Sequence, residues 1–133
     1  MFLRPLNNEQ KELFLNLALA AASANDVIKD SEETLLAAYA DEMSIDVNKA
    51  SQMPVEEICR MLKEISNSKE LNQISFEILG MMMSDNEYDN DEKAFVLKMA
   101  EIFEIPQSRI EEMFSCVKAY SELIKKINVL MYE

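Results

Sequence analysis

The chain has 133 residues, of which 49% are hydrophobic and 29% are charged. This length and composition are typical of one globular domain, which we place at residues 1–133. The sequence contains no histidine and a single glycine, Gly80. Histidine-based catalytic triads, histidine-ligated zinc and glycine-rich phosphate loops are therefore excluded.

The charge balance narrows the class of partner. Acidic residues outnumber basic residues 25 to 13, which gives a net charge of −12. Nucleic acids and anionic membranes are bound by clusters of Lys and Arg, so neither is an expected partner. A cationic partner, either a protein or a metal ion, fits this charge better.

Three features indicate a cytoplasmic protein without membrane insertion. The most apolar run, residues 13–24, is shorter than the roughly 20 residues that a transmembrane helix needs. Residues 1–5 lack the apolar region and cleavage site of a secretory signal. Cys59 and Cys116 lie in helical patterns without a CxxC motif, which predicts reduced thiols in the core.

Nearly every segment favours helix, because Ala, Leu, Met, Glu and Lys dominate and runs of β-branched residues are absent. N-caps, prolines and polar breaks set the boundaries. The predicted helices run from an N-cap at Asn8 to Ala24, from Ser31 to Met43, from Pro54 to Ile65, from Lys69 to Met83, from Asn90 to Phe103, and from a capping box at Ser108–Glu111 towards Val129.

Two groups of apolar residues leave alternatives open. The methionines of residues 81–83 either fill the core or form an adaptable binding surface, and their place at the end of a very apolar helix favours the core. Phe2, Leu3 and Leu6 at one end, and Leu130 and Tyr132 at the other, either fold over the core or bind a partner.

An internal repeat organises the chain. Shifted by sixty positions, residues 14–45 align without gaps on residues 74–105, so that Leu19 falls on Leu79 and Glu32 on Glu92. Each unit is an apolar helix, a polar loop and a second helix. We therefore predict an all-α fold, a compact bundle of about six to seven helices built from two pseudo-symmetric helical hairpins, with the two apolar helices packed against each other.

The polar loops of the two repeats are strongly acidic. Residues 84–92 hold five carboxylates and no base, whereas residues 24–33 hold four carboxylates and one lysine. Such crowding needs compensation, either from helix capping by pairs such as Asp89 and Glu92 or from a hard cation such as Ca²⁺ or Mg²⁺. An EF-hand is excluded, because Asn90 stands where its glycine belongs.

Both loops resemble the signature of the tellurite-resistance TerB-like family, a fold also seen at the N-terminus of a DnaJ-like membrane co-chaperone. Residues 24–32 and residues 85–95 each resemble the family pattern Ala-x-Ala-Asp-Gly-x-Ile-x-x-x-Glu, which occurs once in each of two helical hairpins. The resemblance covers residues 13–113. It implies an all-α bundle, divalent-cation binding, and a bacterial cytoplasmic role in stress response or as an adaptor.

Carried over by position, the loop Asp of the family corresponds to Asp85 and, in the first copy, to Asn25. The first copy thus lacks one carboxylate, and Asp26 or Asp30 would have to supply the missing charge. The glycine of the pattern is also replaced in both copies. The metal ligands expected from the resemblance and the loop composition are Asp85, Glu92, Asp89, Glu32, Asn25 and Asp26.

Three functions follow as hypotheses. The first is a non-enzymatic TerB-like module that binds Ca²⁺ or Mg²⁺ but no organic cofactor, and whose cation modulates a protein interaction. The second is a metal-free scaffold whose acidic loops cap helices and dock a basic protein. The third, a hydrolase with two metal ions, is disfavoured because the chain has no histidine and no arginine adjoins an acidic loop, so no catalytic residues are expected.

Overall fold

The computed structural model describes residues 3–23, 30–44, 53–83 and 89–132. Within these ranges the chain is helical and contains no strand, which confirms the predicted all-α bundle. No helix among these residues is both long enough and apolar enough to cross a bilayer. The helices are α1 (Asn8–Ala22), α2 (Asp30–Met43), α3 (Val55–Ile65), α4 (Ser68–Met82), α5 (Asn90–Phe103) and α6 (Gln107–Tyr132).

The helix boundaries reproduce the internal repeat. The bounds of α4 are those of α1 shifted by sixty positions, and the bounds of α5 are those of α2 shifted by the same amount. The backbone at the two helix ends agrees as well, since Ser44 and Glu104 both have a φ of 57°. The correspondence in the structure begins earlier than residue 14, because the first helices match from their first residues.

The equivalent helices α1 and α4 begin with equivalent caps. The side chain of Asn7 accepts a 2.8 Å hydrogen bond from the backbone amide of Gln10, and Asn67 accepts one of 2.8 Å from Glu70. In both cases the side chain of the third helical residue accepts a hydrogen bond from the backbone amide of the cap, which completes a capping box. The prediction of Asn8 as N-cap was wrong by one residue, because Asn7 has the extended backbone that a cap requires.

The predicted capping box at the start of the last helix was wrong. The helix already begins at Gln107, so Ser108 lies inside its first turn. The carbonyl of Pro106 accepts the amides of Arg109 and Ile110 at 3.0 and 3.2 Å and starts the helical hydrogen-bond series. Pro106 thus lies between α5 and α6, and its carbonyl accepts the first hydrogen bonds of α6.

The core lies between the two repeats, where α1 packs against α4 as predicted. Phe14 and Leu17 of α1 and Ile74 and Ile78 of α4 are completely buried. Leu3 and Leu6, which precede α1, are also buried and fold over this core, whereas Phe2 lies outside the described residues. Met81 and Met82 are completely buried too, which confirms the core interpretation for two of the three consecutive methionines.

α3 and α6, the third helices of the two halves, differ from each other in their packing. α3 lies against α1 and also against α5, so it joins the two hairpins. Glu56 of α3 and Lys98 of α5 form an ion pair of 3.0 Å across this contact. α6 lies against α4 and α5, and a groove separates it from α2.

Candidate functional site

A groove with a volume of about 810 Å³ lies between α2, α4 and α6. Its walls are mostly apolar. α2 contributes Ala38 and Tyr39, α4 contributes Phe76 and Gly80, and α6 contributes Tyr120 and Ile124.

Tyr39 forms a fixed part of the groove wall. Its ring packs edge-on against Phe14 with centroids 5.2 Å apart, and its hydroxyl donates a 3.0 Å hydrogen bond to the carbonyl of Glu77. Burial raises the pKa of Tyr39, and the nearby carboxylates of Glu77 and Glu42 raise it further. The hydroxyl is therefore a neutral donor that ties α2 to α4.

Gly80 leaves open space in the wall formed by α4. A Cβ atom built at this position meets no heavy atom within 4 Å. The glycine therefore serves neither a close helix contact nor a left-handed backbone, the two usual reasons for a glycine inside a helix. The missing side chain instead adds to the volume of the groove, which Gly80 lines.

The charges at the groove are divided between its walls. Glu42 and Glu77 lie on the side formed by α2 and α4, and Lys125 lies on the side formed by α6. One carboxylate oxygen of Glu42 also accepts a 3.2 Å hydrogen bond from the amide of Leu3. The α2–α4 wall thus combines apolar surface with negative charge, which suits a ligand that is apolar and basic.

The repeat helps to explain why this wall stays open. Lys98 of α5, which pairs with Glu56 of α3, has Ala38 of α2 as its counterpart sixty positions earlier. The ion pair thereby joins α5 to α3. Ala38 has no charge with which to form an equivalent pair between α2 and α6, and it lines the groove. The groove occupies the place where the repeat would put a contact between α2 and α6.

The outer half of α6 exposes a continuous set of large apolar side chains. Leu130 and Tyr132 retain 76% and 78% of their accessible surface. The interpretation that these two residues fold over the core was therefore wrong, and the alternative of partner binding stays open for them. The other large apolar residues that α6 exposes are Tyr120, Leu123, Ile124, Ile127, Val129 and Met131.

The structure describes the side chains of two of the six predicted metal ligands, Asp89 and Glu92. Asn25, Asp26 and Asp85 lie outside the described residues, as does the side chain of Glu32, whose backbone lies in α2. Elsewhere in the chain, the residues that the structure describes contain no group of three or more side chains suited to hold a metal ion.

Asp89 and Glu92 form the predicted capping box of α5. Asp89 accepts a 2.9 Å hydrogen bond from the amide of Glu92, and the carboxylate of Glu92 accepts one of 3.2 Å from the amide of Asp89. Glu92 is only 1% exposed. The predicted structural role of this pair is confirmed, and negative charge in the first turn also interacts favourably with the helix dipole.

Sequence reasoning missed the groove, although two signals pointed towards it. Cys116 was predicted to be a core thiol, but it is exposed and lines the groove, whereas Cys59 is buried as predicted. The only glycine of the chain, inside a helix and away from any turn, was the other signal. Gly80 marks a position where side-chain volume is missing from the wall of the groove.

Comparison with family models, with curated proteins and with solved structures finds no match.

Proposed function

We propose that the chain is a non-enzymatic protein-interaction module that binds an amphipathic helix in the groove between α2, α4 and α6. The observation that carries the proposal is the groove itself, about 810 Å³ in volume and lined mainly by apolar side chains. Grooves between helices commonly receive the apolar face of another helix, whose side chains at positions i, i+3, i+4 and i+7 fill them.

The charge of the site favours a basic helix as the occupant. Glu42 and Glu77 lie at the groove, and the chain as a whole carries a net charge of −12. Lys and Arg residues beside the apolar stripe of the occupant would be attracted by this negative charge from a distance and would meet the half-buried Glu42, whereas Glu77 is buried in the wall. An acidic helix of the same apolar pattern would be repelled.

The TerB-like resemblance suggests the setting, a bacterial cytoplasmic adaptor that acts in stress response. Cation binding by the acidic loops is a further part of that proposal. It is supported by the loop composition and by the equivalent positions of Glu32 and Glu92 in the duplicated helices α2 and α5. The metal-free alternative is supported by the capping box of Asp89 and Glu92, which gives two of the acidic residues a structural role.

Two synthetic peptides test the proposed docking. Both are helical, about 18 residues long, with leucine at the i, i+3, i+4 and i+7 positions. One carries lysine at the remaining positions and the other carries glutamate. We expect the lysine peptide to bind with a Kd of roughly 10 µM and the glutamate peptide roughly tenfold more weakly or worse, measured by calorimetry at 150 mM salt, roughly physiological.

Specific docking is separated from non-specific charge attraction by a matched pair of variants. Gly80→Trp fills the groove and should abolish binding of the lysine peptide, whereas Gly80→Ala should retain it. Bound peptide should also slow the reaction of Cys116 with a thiol reagent, because Cys116 lines the groove. Equal binding by both variants, or an unchanged reaction rate of Cys116, would contradict the proposal.

A further inference from the structure

The outer half of α6 has the chemistry that we propose for the occupant of the groove. Apolar residues recur along α6 at alternating spacings of three and four, which is the pattern of a coiled-coil seam. The seam residues are Ile110, Met113, Val117, Tyr120, Ile124, Ile127 and Met131. The bundle buries Ile110 and Val117, whereas the last four residues of the seam are exposed in the described chain.

The surfaces beside this seam favour pairing with an identical helix. Leu123 and Leu130 flank it on one side, and Ser121 and Asn128 flank it on the other. None of these flanking residues is charged. Two copies can therefore bring their seams together without placing like charges opposite each other, although each chain is strongly acidic.

Charge is divided unevenly between this helix and the rest of the chain. Residues 118–132 hold three lysines and one glutamate, whereas the rest of the chain, residues 1–117 and 133, holds 24 acidic and 10 basic residues. The exposed half of α6 is thus a basic amphipathic segment. It is attached to residues 1–117, which we call the acidic body of the chain. α6 is a continuous helix of 26 residues, about 39 Å long, so Ile127 and Met131 cannot fold back into the groove that Tyr120 and Ile124 of the same helix line.

We infer that two copies of the chain associate through the outer halves of α6, packed antiparallel, with the stripe formed by Ile127 and Met131 of each copy lying against the groove of the other. The antiparallel direction follows from the charges. It keeps the acidic bodies of the two copies at opposite ends of the paired helices, whereas a parallel pair would bring them side by side. A two-fold axis makes the two contacts identical and closes the assembly at a dimer.

The inference rests on the proposed function, because it names a second copy as the occupant of the same groove. The shared seam is about two heptads long, so we expect a Kd in the micromolar range rather than an obligate dimer. Sedimentation of the full chain between about 1 and 200 µM should show the mass rising from 15.3 kDa towards twice that value. A mass that stays at one chain over this range would overturn the inference.

Two aspartate variants on the same helix test the seam. Ile127→Asp places a charge on the stripe and should raise the Kd at least about tenfold. Val129→Asp is the matched control, because Val129 is also apolar and exposed but lies on the opposite side of the helix. Circular dichroism should show both variants equally folded, and equal effects on the dimer would contradict the inference.

Disulfide trapping tests the direction of pairing. In a Cys116→Ser background, a Tyr120→Cys chain is mixed with a tagged Met131→Cys chain and oxidised. Antiparallel seams bring position 120 of one copy near position 131 of the other, so the mixed disulfide should predominate over the two symmetric ones. Predominance of the symmetric products would overturn the antiparallel arrangement.

Failure of the dimer is distinguishable from failure of the proposed function. A chain that remains monomeric but binds the lysine peptide, with protection of Cys116, refutes only the second copy as occupant. A chain that shows neither dimer nor peptide binding refutes both.

Discussion

The hydroxyl of Tyr39 donates a hydrogen bond of 3.0 Å to the backbone carbonyl of Glu77 and thereby joins the first hairpin to the second at the wall of the groove. Both partners are buried, so the bond is protected from competition by water. The position of α2 relative to α4, and with it the shape of the groove, depends in part on this contact.

Replacing Tyr39 by Phe should lower stability by about 1 kcal/mol, because the carbonyl of Glu77 loses its side-chain donor. Thermal unfolding should show a melting temperature about 3 °C lower. Tyr120→Phe, at an exposed tyrosine in the same groove, is the control and should change the melting temperature by less than about 1 °C. An equal loss in both variants would argue against the interhelix hydrogen bond.

The same tyrosine predicts a loss of stability at alkaline pH. The folded state raises the pKa of Tyr39 above its ordinary value of 10.0, so the folded chain holds this proton more tightly than the unfolded chain. Its contribution is complete below pH 10 and is lost as the pH rises beyond it. Denaturant unfolding from pH 9 to 11 should therefore show a steeper decline for the natural chain than for Tyr39→Phe, and identical slopes would contradict the burial of the hydroxyl.

Replacing Gly80 by Ala should stabilise the chain by about 0.5 kcal/mol. Alanine lowers the backbone entropy of the unfolded state, and its Cβ enters open space. Urea unfolding should show a higher midpoint with an unchanged slope. A lower midpoint would mean that the groove is more tightly filled at this position than the structure shows.

Replacing Asp89 by Ala should cost about 1 kcal/mol, because the amide of Glu92 loses the carboxylate that caps it. Asp91→Ala is the matched control. It removes an acidic residue from the same helical turn, but Asp91 is exposed and is not the cap. Urea unfolding of the two variants should separate capping from general charge repulsion, since relief of repulsion alone would stabilise both chains.

The proposed cation site predicts a thermal shift. At a hundredfold excess over the dissociation constant, a bound cation stabilises the folded state by about 2.7 kcal/mol. Melting curves with millimolar Ca²⁺ or Mg²⁺ should then lie above curves with EDTA, and the double variant Asp85→Asn, Glu92→Gln should lose this difference. Glu111→Gln with Glu112→Gln removes two charges from α6 and should retain it. No shift for the natural chain would remove the cation hypothesis.

The two cysteines should differ in reactivity. Burial raises the pKa of Cys59 to about 12, whereas Cys116 is exposed in the groove. Because the thiolate is the reactive form, a thiol reagent at pH 8 should modify about one thiol in the folded chain and two in denaturant. Cys116→Ser should abolish the reaction of the folded chain, while rapid modification of that variant would show that Cys59 is accessible.

Much of the fold could be predicted from short-range rules. The apolar periodicity and the breaks located the six helices found in the described part of the chain, and α5 was bounded correctly at Asn90 and Phe103. The capping box of Asp89 and Glu92 was also predicted, because a cap depends on residues only three positions apart. The errors at Asn8 and Ser108 arose where two neighbouring residues could each begin a helix and only the backbone geometry chose between them.

What the sequence determined by itself is the set of helices and their duplication, since periodicity and capping are properties of neighbouring residues. Only the tertiary structure decided which apolar side chains are covered. Val117 and Ile124 hold equivalent places in the seam of α6, yet the bundle leaves the first 8% exposed and the second 39% exposed. The pattern along a helix is the same whether or not a neighbour lies beside it, and the presence of that neighbour depends on how distant segments pack.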